Sequence, residues 1–178
     1  MALGYAFQPQ TTEQLSKCAR AKGVALPISL KHSVEVCRYL RHKSLARAIK
    51  ILEDVIKLKV PVPYVRFTGD LAHKPSMGPG RYPVKPSKFI LELLKSVEAN
   101  ARFKGLSVPN LEIIHIHAHQ ASQPAHYGRQ PGRLMKRAHI EVVVAEKSVT
   151  EKSTSSSSKT SKGSSVPHQH SKPKEAKK

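Results

Sequence analysis

Apolar positions along this chain fall into a few regular patterns separated by polar, proline-rich stretches. Val24, Leu26, Ile28 and Leu30 recur at every second residue, which predicts a strand over Val24–Lys31. Pro27 removes a ladder donor and so places that strand at an edge or at a non-donating position. Ser33 can cap a short helix running to about His42, with Val36, Cys37 and Leu40 on one face. Ser44 opens a second helix, in which Leu45, Ile49, Leu52 and Ile56 form a helical stripe until Pro61 and Pro63 end it. Tyr64–Pro86 shows no core pattern, and its glycines and prolines (Gly69, Pro75, Gly78, Pro79, Gly80, Pro83) mark a long loop. Loops of that length inside a compact domain are usually functional or disordered. Ser87 caps a third helix with the stripe Ile90, Leu94, Val97 and Ala101, and Gly105 stands where a C-terminal glycine belongs. Two strand-like runs follow, Leu111–His119 and His139–Val144, with Ile114, Ile116 and Ala118 on one side of the first and Ile140, Val142 and Val144 on one side of the second.

This order predicts an α+β domain: three helices on one face of a small three-stranded antiparallel sheet, with a long protruding β-hairpin. The domain spans 24–147 and its hairpin loop 119–139, preceded by an extended N-terminal segment over 1–23. From 148 to 178 the chain is rich in Ser and Lys, the composition of a disordered basic tail. Between the two hairpin strands lie about twenty residues with almost nothing to bury. A polar finger tied at both ends into a sheet makes physical sense against a polyanion.

Charge sharpens that expectation. The 178 residues carry 31 Lys and Arg against 12 Asp and Glu, a formal net charge of +19. Such an excess repels itself in the free protein, and a phosphate backbone relieves it with counterion release. Nucleic acid is the leading partner and an anionic membrane surface the second. No apolar run approaches the roughly twenty residues that span a bilayer, and Met1–Gln10 lacks the features of a signal peptide. Cys18 and Cys37 make no disulfide framework and fit a reducing compartment.

Candidate chemistry is sparse. His115, His117 and His119 alternate along one strand and so share a face, with His139 across the ladder. Such a cluster can bind zinc, but polar residues on the exposed side of a half-buried sheet account for it more simply. Glu53, Asp54, Asp70, Glu92, Glu98, Glu112 and Glu141 form no evident acid–base pair, and Gly78–Arg81 lacks the Gly-Lys-Ser/Thr of a phosphate-cradling loop. The reading is a binding protein, not an enzyme, with no metal or cofactor.

The basic positions carry the argument. Arg20, Lys22, Lys31 and His32 surround the first strand, Arg38, Arg41 and Lys43 the end of the first helix, and Arg81, Lys85 and Lys88 the start of the third. The finger adds Arg129, Arg133, Lys136 and Arg137. Spread over several surfaces, with no single groove-reading helix and few aromatics for stacking, they favour a folded RNA over duplex DNA or an extended single strand.

These residues also resemble a known family. Ala19–Gly23 through Leu26, Ile28 and Leu30–His32 resembles the opening of the universal large-subunit ribosomal protein twenty-two family, whose eukaryotic members are called protein seventeen. Val62–Gly69 and Gly80–Pro83 resemble the insertion of its archaeal and eukaryotic branch, Ser96–Ala101 its third-helix signature, and His139–Val144 its returning hairpin strand. The resemblance, over about Lys17 to Lys147, implies a cytoplasmic structural constituent of the large ribosomal subunit. Its implied partners are large-subunit ribosomal RNA, neighbouring large-subunit proteins and the nascent polypeptide. It also implies a hairpin that helps line the peptide exit tunnel, with its tip at Tyr127, Gly128, Arg129, Gln130, Pro131 and Gly132. A non-ribosomal RNA-binding or regulatory protein with the same domain is the alternative.

Overall fold

The computed structural model describes residues 4–7, 16–130 and 132–146. The tail expected from residue 148 and Pro131 of the expected hairpin tip lie outside the described residues. Three antiparallel strands, β1 (Cys18–Leu26), β5 (Leu111–Gln120) and β6 (Ala138–Glu146), form the main sheet in the order β1-β6-β5. One face carries three helices, α1 (Leu30–Leu40), α2 (Leu45–Ile56) and α3 (Val84–Phe103), with α3 against β1 and α1 against β5. The α+β architecture is the expected one.

The core lies between the helices and that face. Ala19 and Ala21 of β1, Ile113, Ile116 and Ala118 of β5, and Ile140, Val142 and Val144 of β6 meet Val36, Leu40, Leu52, Ile90, Leu94 and Val97. Each large side chain so buried contributes about 1.5–3 kcal/mol relative to exposure. The predicted stripe of α3 is buried throughout, whereas α2 buries Leu45, Ala48, Leu52 and Val55 and leaves Ile49 and Ile56 of its predicted stripe partly buried. Gly105 ends α3 at φ 74°, a conformation that costs glycine no Cβ clash.

Several boundaries differ from expectation, each for a physical reason. The first strand is Cys18–Leu26, so part of the expected N-terminal extension belongs to the sheet. Its inward residues are alanines, too small to register as a hydrophobic pattern. The alternating stretch Val24–Leu30 straddles the end of that strand: Val24 is 54% exposed, Ala25 takes a positive φ where the register shifts, Leu26 makes the last pair with Ala138, and Ile28 is buried in the turn before α1. That helix has Ser29 at its N-cap, while Ser33 lies buried within it and donates to the Ser29 carbonyl (2.9 Å). Helix α3 starts at Val84 with Pro86 in its first turn, where a missing N–H costs nothing, and Ser87 is inside it. In β5 the register shifts between Ile113 and His115, so Ile113 replaces Ile114 as the inward residue and Ile114 is 39% exposed.

The glycine- and proline-rich stretch is more than a loop. Strands β2 (Val62–Pro63), β3 (His73–Lys74) and β4 (Gly78–Arg81) make a second small sheet in the order β2-β4-β3. Its link to the domain is Glu35 of α1, whose buried carboxylate accepts backbone N–H groups from Val65, Arg66 and Phe67 (3.2, 2.8 and 2.9 Å). Beyond β5 and β6 the finger continues as an irregular ribbon, tied by Ala121 N–H to the Arg137 carbonyl and Met135 N–H to the Pro124 carbonyl.

Candidate nucleic-acid interface

The start of α1, the β2–β4 insertion, the start of α3 and the base of the finger converge around Lys136. Two adjoining clefts result. One, of about 530 Å³, is lined by Lys31, His32, Tyr64, Arg66, Arg81 and Lys136, with Asp70 its single acidic residue. The other, of about 480 Å³, shares His32 and Lys136 and adds Lys85, His126, Met135 and Arg137. Residues more than a hundred positions apart thus form one cationic surface. Asp70 alone cannot balance these cations, so the site is built to receive negative charge.

His32 records that field. It sits at the junction of the clefts, its Nδ1 2.8 Å from the Tyr64 hydroxyl. Burial pushes its pKa below the ordinary histidine value, and the charges of Arg81 and Lys136 push it further. Tyr64, buried beneath it, has its phenol pushed up to about 12, chiefly by burial, and remains a neutral hydrogen-bonding wall.

The expected site residues divide into groups. Lys31, His32, Arg81, Lys85, Lys136 and Arg137 are brought together in the clefts. Arg38 and Arg41 line a smaller cavity between α1 and the edge of β5, which meets the first cleft at Arg66. Lys43 folds back, donating to the Tyr39 carbonyl with its Nζ 4.1 Å from the Tyr39 ring centroid. Lys88 is exposed on α3, and Arg129 and Arg133 are exposed on the finger with the tip residues Tyr127, Gly128, Gln130 and Gly132. Arg20 and Lys22 occupy the sheet's outer face beside Tyr5, at 4.9 and 5.7 Å from its ring. Sequence reasoning missed Arg66, Tyr64 and Phe67 as cleft residues, although all three stand in the Val62–Gly69 segment that carried the resemblance.

The histidine row also lies on that outer face. His115, His117 and His119 stack along β5, with ring centroids 6.1 and 4.4 Å apart. His115 and His119 each point Nε2 at Glu141 Oε1 (2.8 and 3.4 Å), and Ala6 N–H donates to Oε2 (3.0 Å). Among the described residues no cluster of three or more His, Cys, Asp or Glu is arranged to hold a metal ion. Cys37 is buried and its thiol pushed up to about 12 by burial, so it is a core residue in chemical terms.

Residues 21–145 match the model of ribosomal protein L22p/L17e. The chain belongs to the ribosomal protein L22p/L17e family. It is 38% identical over 149 residues to the large ribosomal subunit protein uL22 of Archaeoglobus fulgidus, covering 79% of this chain and 94% of that protein. With uL22 of Ignicoccus hospitalis it shares 43% identity over 141 residues, covering 73% and 89% respectively. The Thermoplasma volcanium protein shares 40% over 133 residues, covering 72% and 90%. The L22p/L17e match spans nearly the whole main sheet and all three helices. It names a family of ribosomal proteins, not an enzyme class.

Proposed function

We propose that this chain is a structural constituent of the large ribosomal subunit that binds large-subunit ribosomal RNA through the joined clefts around Lys136. The convergence of Lys31, Arg66, Arg81, Lys85, Lys136 and Arg137 from separate segments carries this reading. The L22p/L17e relatives, named as large-subunit proteins, agree with it. Lys and Arg here neutralise phosphates where RNA segments crowd together, while the sheet and helices fix the spacing of the charges. The exposed finger, with Arg129 and Arg133 near its tip, extends the same cationic surface toward the exit tunnel, where Tyr127 and its neighbours face the nascent polypeptide. Neighbouring large-subunit proteins and a cytoplasmic location follow from the same assignment.

The test is binding of the full chain to deproteinised large-subunit RNA across a salt series. Arg81→Ala with Lys136→Ala should weaken binding and flatten the dependence of log affinity on log salt by roughly 1–2. Both residues are exposed, so stability should change by no more than about 0.5 kcal/mol. Unaltered affinity and slope in that variant would remove the clefts from the interface.

A further inference from the structure

The cavity holding Arg38 and Arg41 adjoins the first of the two clefts, with Arg66 in the wall of both. Its volume is about 250 Å³, and its lining is Val34, Cys37, Arg38, Arg41 and Arg66 on one side and Ile116, His117 and Ala118 of β5 on the other. It is smaller than the roughly 300–1,000 Å³ of ordinary small-molecule clefts, so it suits a chemical group and not a whole small molecule. Three of its lining residues are arginines and none is acidic. None of the three makes an ion pair with a described residue. Guanidinium groups gathered without an ion-pair partner raise the energy of the empty site, and a bound anion relieves it.

The arrangement is held in place from beneath. Arg38 lies in the last turn of α1 and Arg41 is its C-cap, at the helix end where cations suit the dipole. Arg41 also donates to the Ile116 carbonyl (3.4 Å), which ties it to the strand edge. Arg66 comes from the insertion, and its own backbone N–H is one of the three clasped by the buried Glu35 carboxylate. The only other titratable ring in the wall, His117, has a pKa below the ordinary value through burial, its neighbours His119 and His115, and Arg41, so it adds no charge at neutral pH. Planar guanidinium forks arranged around a group-sized cavity match the tetrahedral oxygens of a phosphate.

We propose that Arg38, Arg41 and Arg66 together seat a single backbone phosphate of the bound RNA, beside the clefts around Lys136 and joined to them through Arg66. The inference rests on the RNA-binding reading and goes beyond it by assigning one phosphate to three side chains, Arg66 among them. Sharing has a measurable signature. If one phosphate is held by all three, removing two arginines costs less than the product of the single losses, because the second no longer has a seated phosphate to hold.

The experiment measures affinity of the full chain for deproteinised large-subunit RNA at several KCl concentrations. The variants are Arg38→Ala, Arg66→Ala, the double variant and Arg66→Lys. Each alanine should weaken binding about tenfold, the worth of a charge-assisted hydrogen bond. The double variant should fall well short of a hundredfold. Arg66→Lys should keep the salt slope while losing part of the affinity, since the charge remains and the fork does not. Both residues are exposed, and relief of repulsion should leave the melting temperature of the free variants no lower than that of the parent.

Losses that multiply in full would assign separate phosphates and overturn the proposal. So would unchanged RNA affinity in Arg66→Ala, including the case where that variant instead loses binding to a poly-glutamate peptide, which would give the cavity to an acidic protein segment. The Arg81→Ala, Lys136→Ala variant separates the two failures: if it weakens binding and Arg66→Ala does not, only the seat is wrong. If neither weakens binding, the RNA reading falls as well.

Discussion

Ile140 and Glu141 are neighbours on the central strand, both fully buried, and they face opposite worlds. Ile140 points into the helix-covered side of the sheet, among apolar side chains from every layer. Glu141 points to the other side, where β1 offers Arg20 and Lys22, β5 offers three histidines, and the segment Gly4–Phe7 lies across the top. Phe7 packs on Cys18, Val143 and Ala145 and stacks on the His115 ring at 5.3 Å. Lys22 Nζ donates to the Gly4 carbonyl at 2.6 Å. Burial on the inner face is thus a matter of volume filled. On the outer face it is a matter of one carboxylate meeting its donors. A sheet with one helix-covered face leaves the other free for polar work, and here a short strap turns part of that face into a second, hydrogen-bonded layer.

Substitutions at the two positions should separate these modes. Ile140→Ala leaves a cavity between sheet and helices and should cost about 2–5 kcal/mol of unfolding free energy, the largest effect expected here. Urea unfolding of the free chain measures it, and a cost below about 1 kcal/mol would mean the layers close over the gap. Glu141→Ala should cost less, about 1–3 kcal/mol, since the Ala6 N–H and two imidazoles lose their acceptor while little apolar volume is lost. Its signature is local: amide exchange at Ala6 should quicken in Glu141→Ala and not in Ile140→Ala. Equal exchange in the two variants would erase the distinction between the faces.

The inner face was far more legible in the sequence than the outer one. Leu45, Ile49, Leu52 and Ile56, or Ile90, Leu94 and Val97, announce helices because their spacing depends only on the local repeat. Strand β1 was displaced because Ala19 and Ala21 carry too little hydrophobicity to outweigh the accidental alternation of Val24–Leu30. The two-residue strands of the insertion are too short for any period to show. On the outer face the histidine row was legible from alternation alone, but its acceptor was not. Placing Glu141 opposite His117, within reach of His115 and His119, requires the register of β5 on β6, including the shift between Ile113 and His115. The clefts show the same limit. Their charges were visible one by one, yet that Lys31, Arg81, Lys85 and Lys136 share a surface while Arg20 and Lys22 do not is settled only by tertiary packing. Arg66 escaped notice because nothing in its local sequence says that Glu35 holds its backbone beside α1.

The smallest expected effect, and the sharpest test of what holds the outer face, is its response to acid. Burial alone would raise the pKa of Glu141, but the Ala6 N–H and the bonds from His115 and His119 outweigh it, and the carboxyl sits below its ordinary value. A carboxyl whose pKa is depressed by folding adds stability that is fully present above its unfolded value, about 4.3, and is lost as pH falls through the lower folded value. The stability advantage of the parent chain over Glu141→Gln should therefore be fully present at about pH 5 and shrink below it. General acid destabilisation of so cationic a chain is common to both proteins and cancels in the difference. The same comparison between the parent and Ile140→Ala should show no trend with pH, because the cavity holds no titrating group. A Glu141→Gln difference that stayed flat to pH 3 would mean that shape, and not charge, makes Glu141 fit beneath the strap.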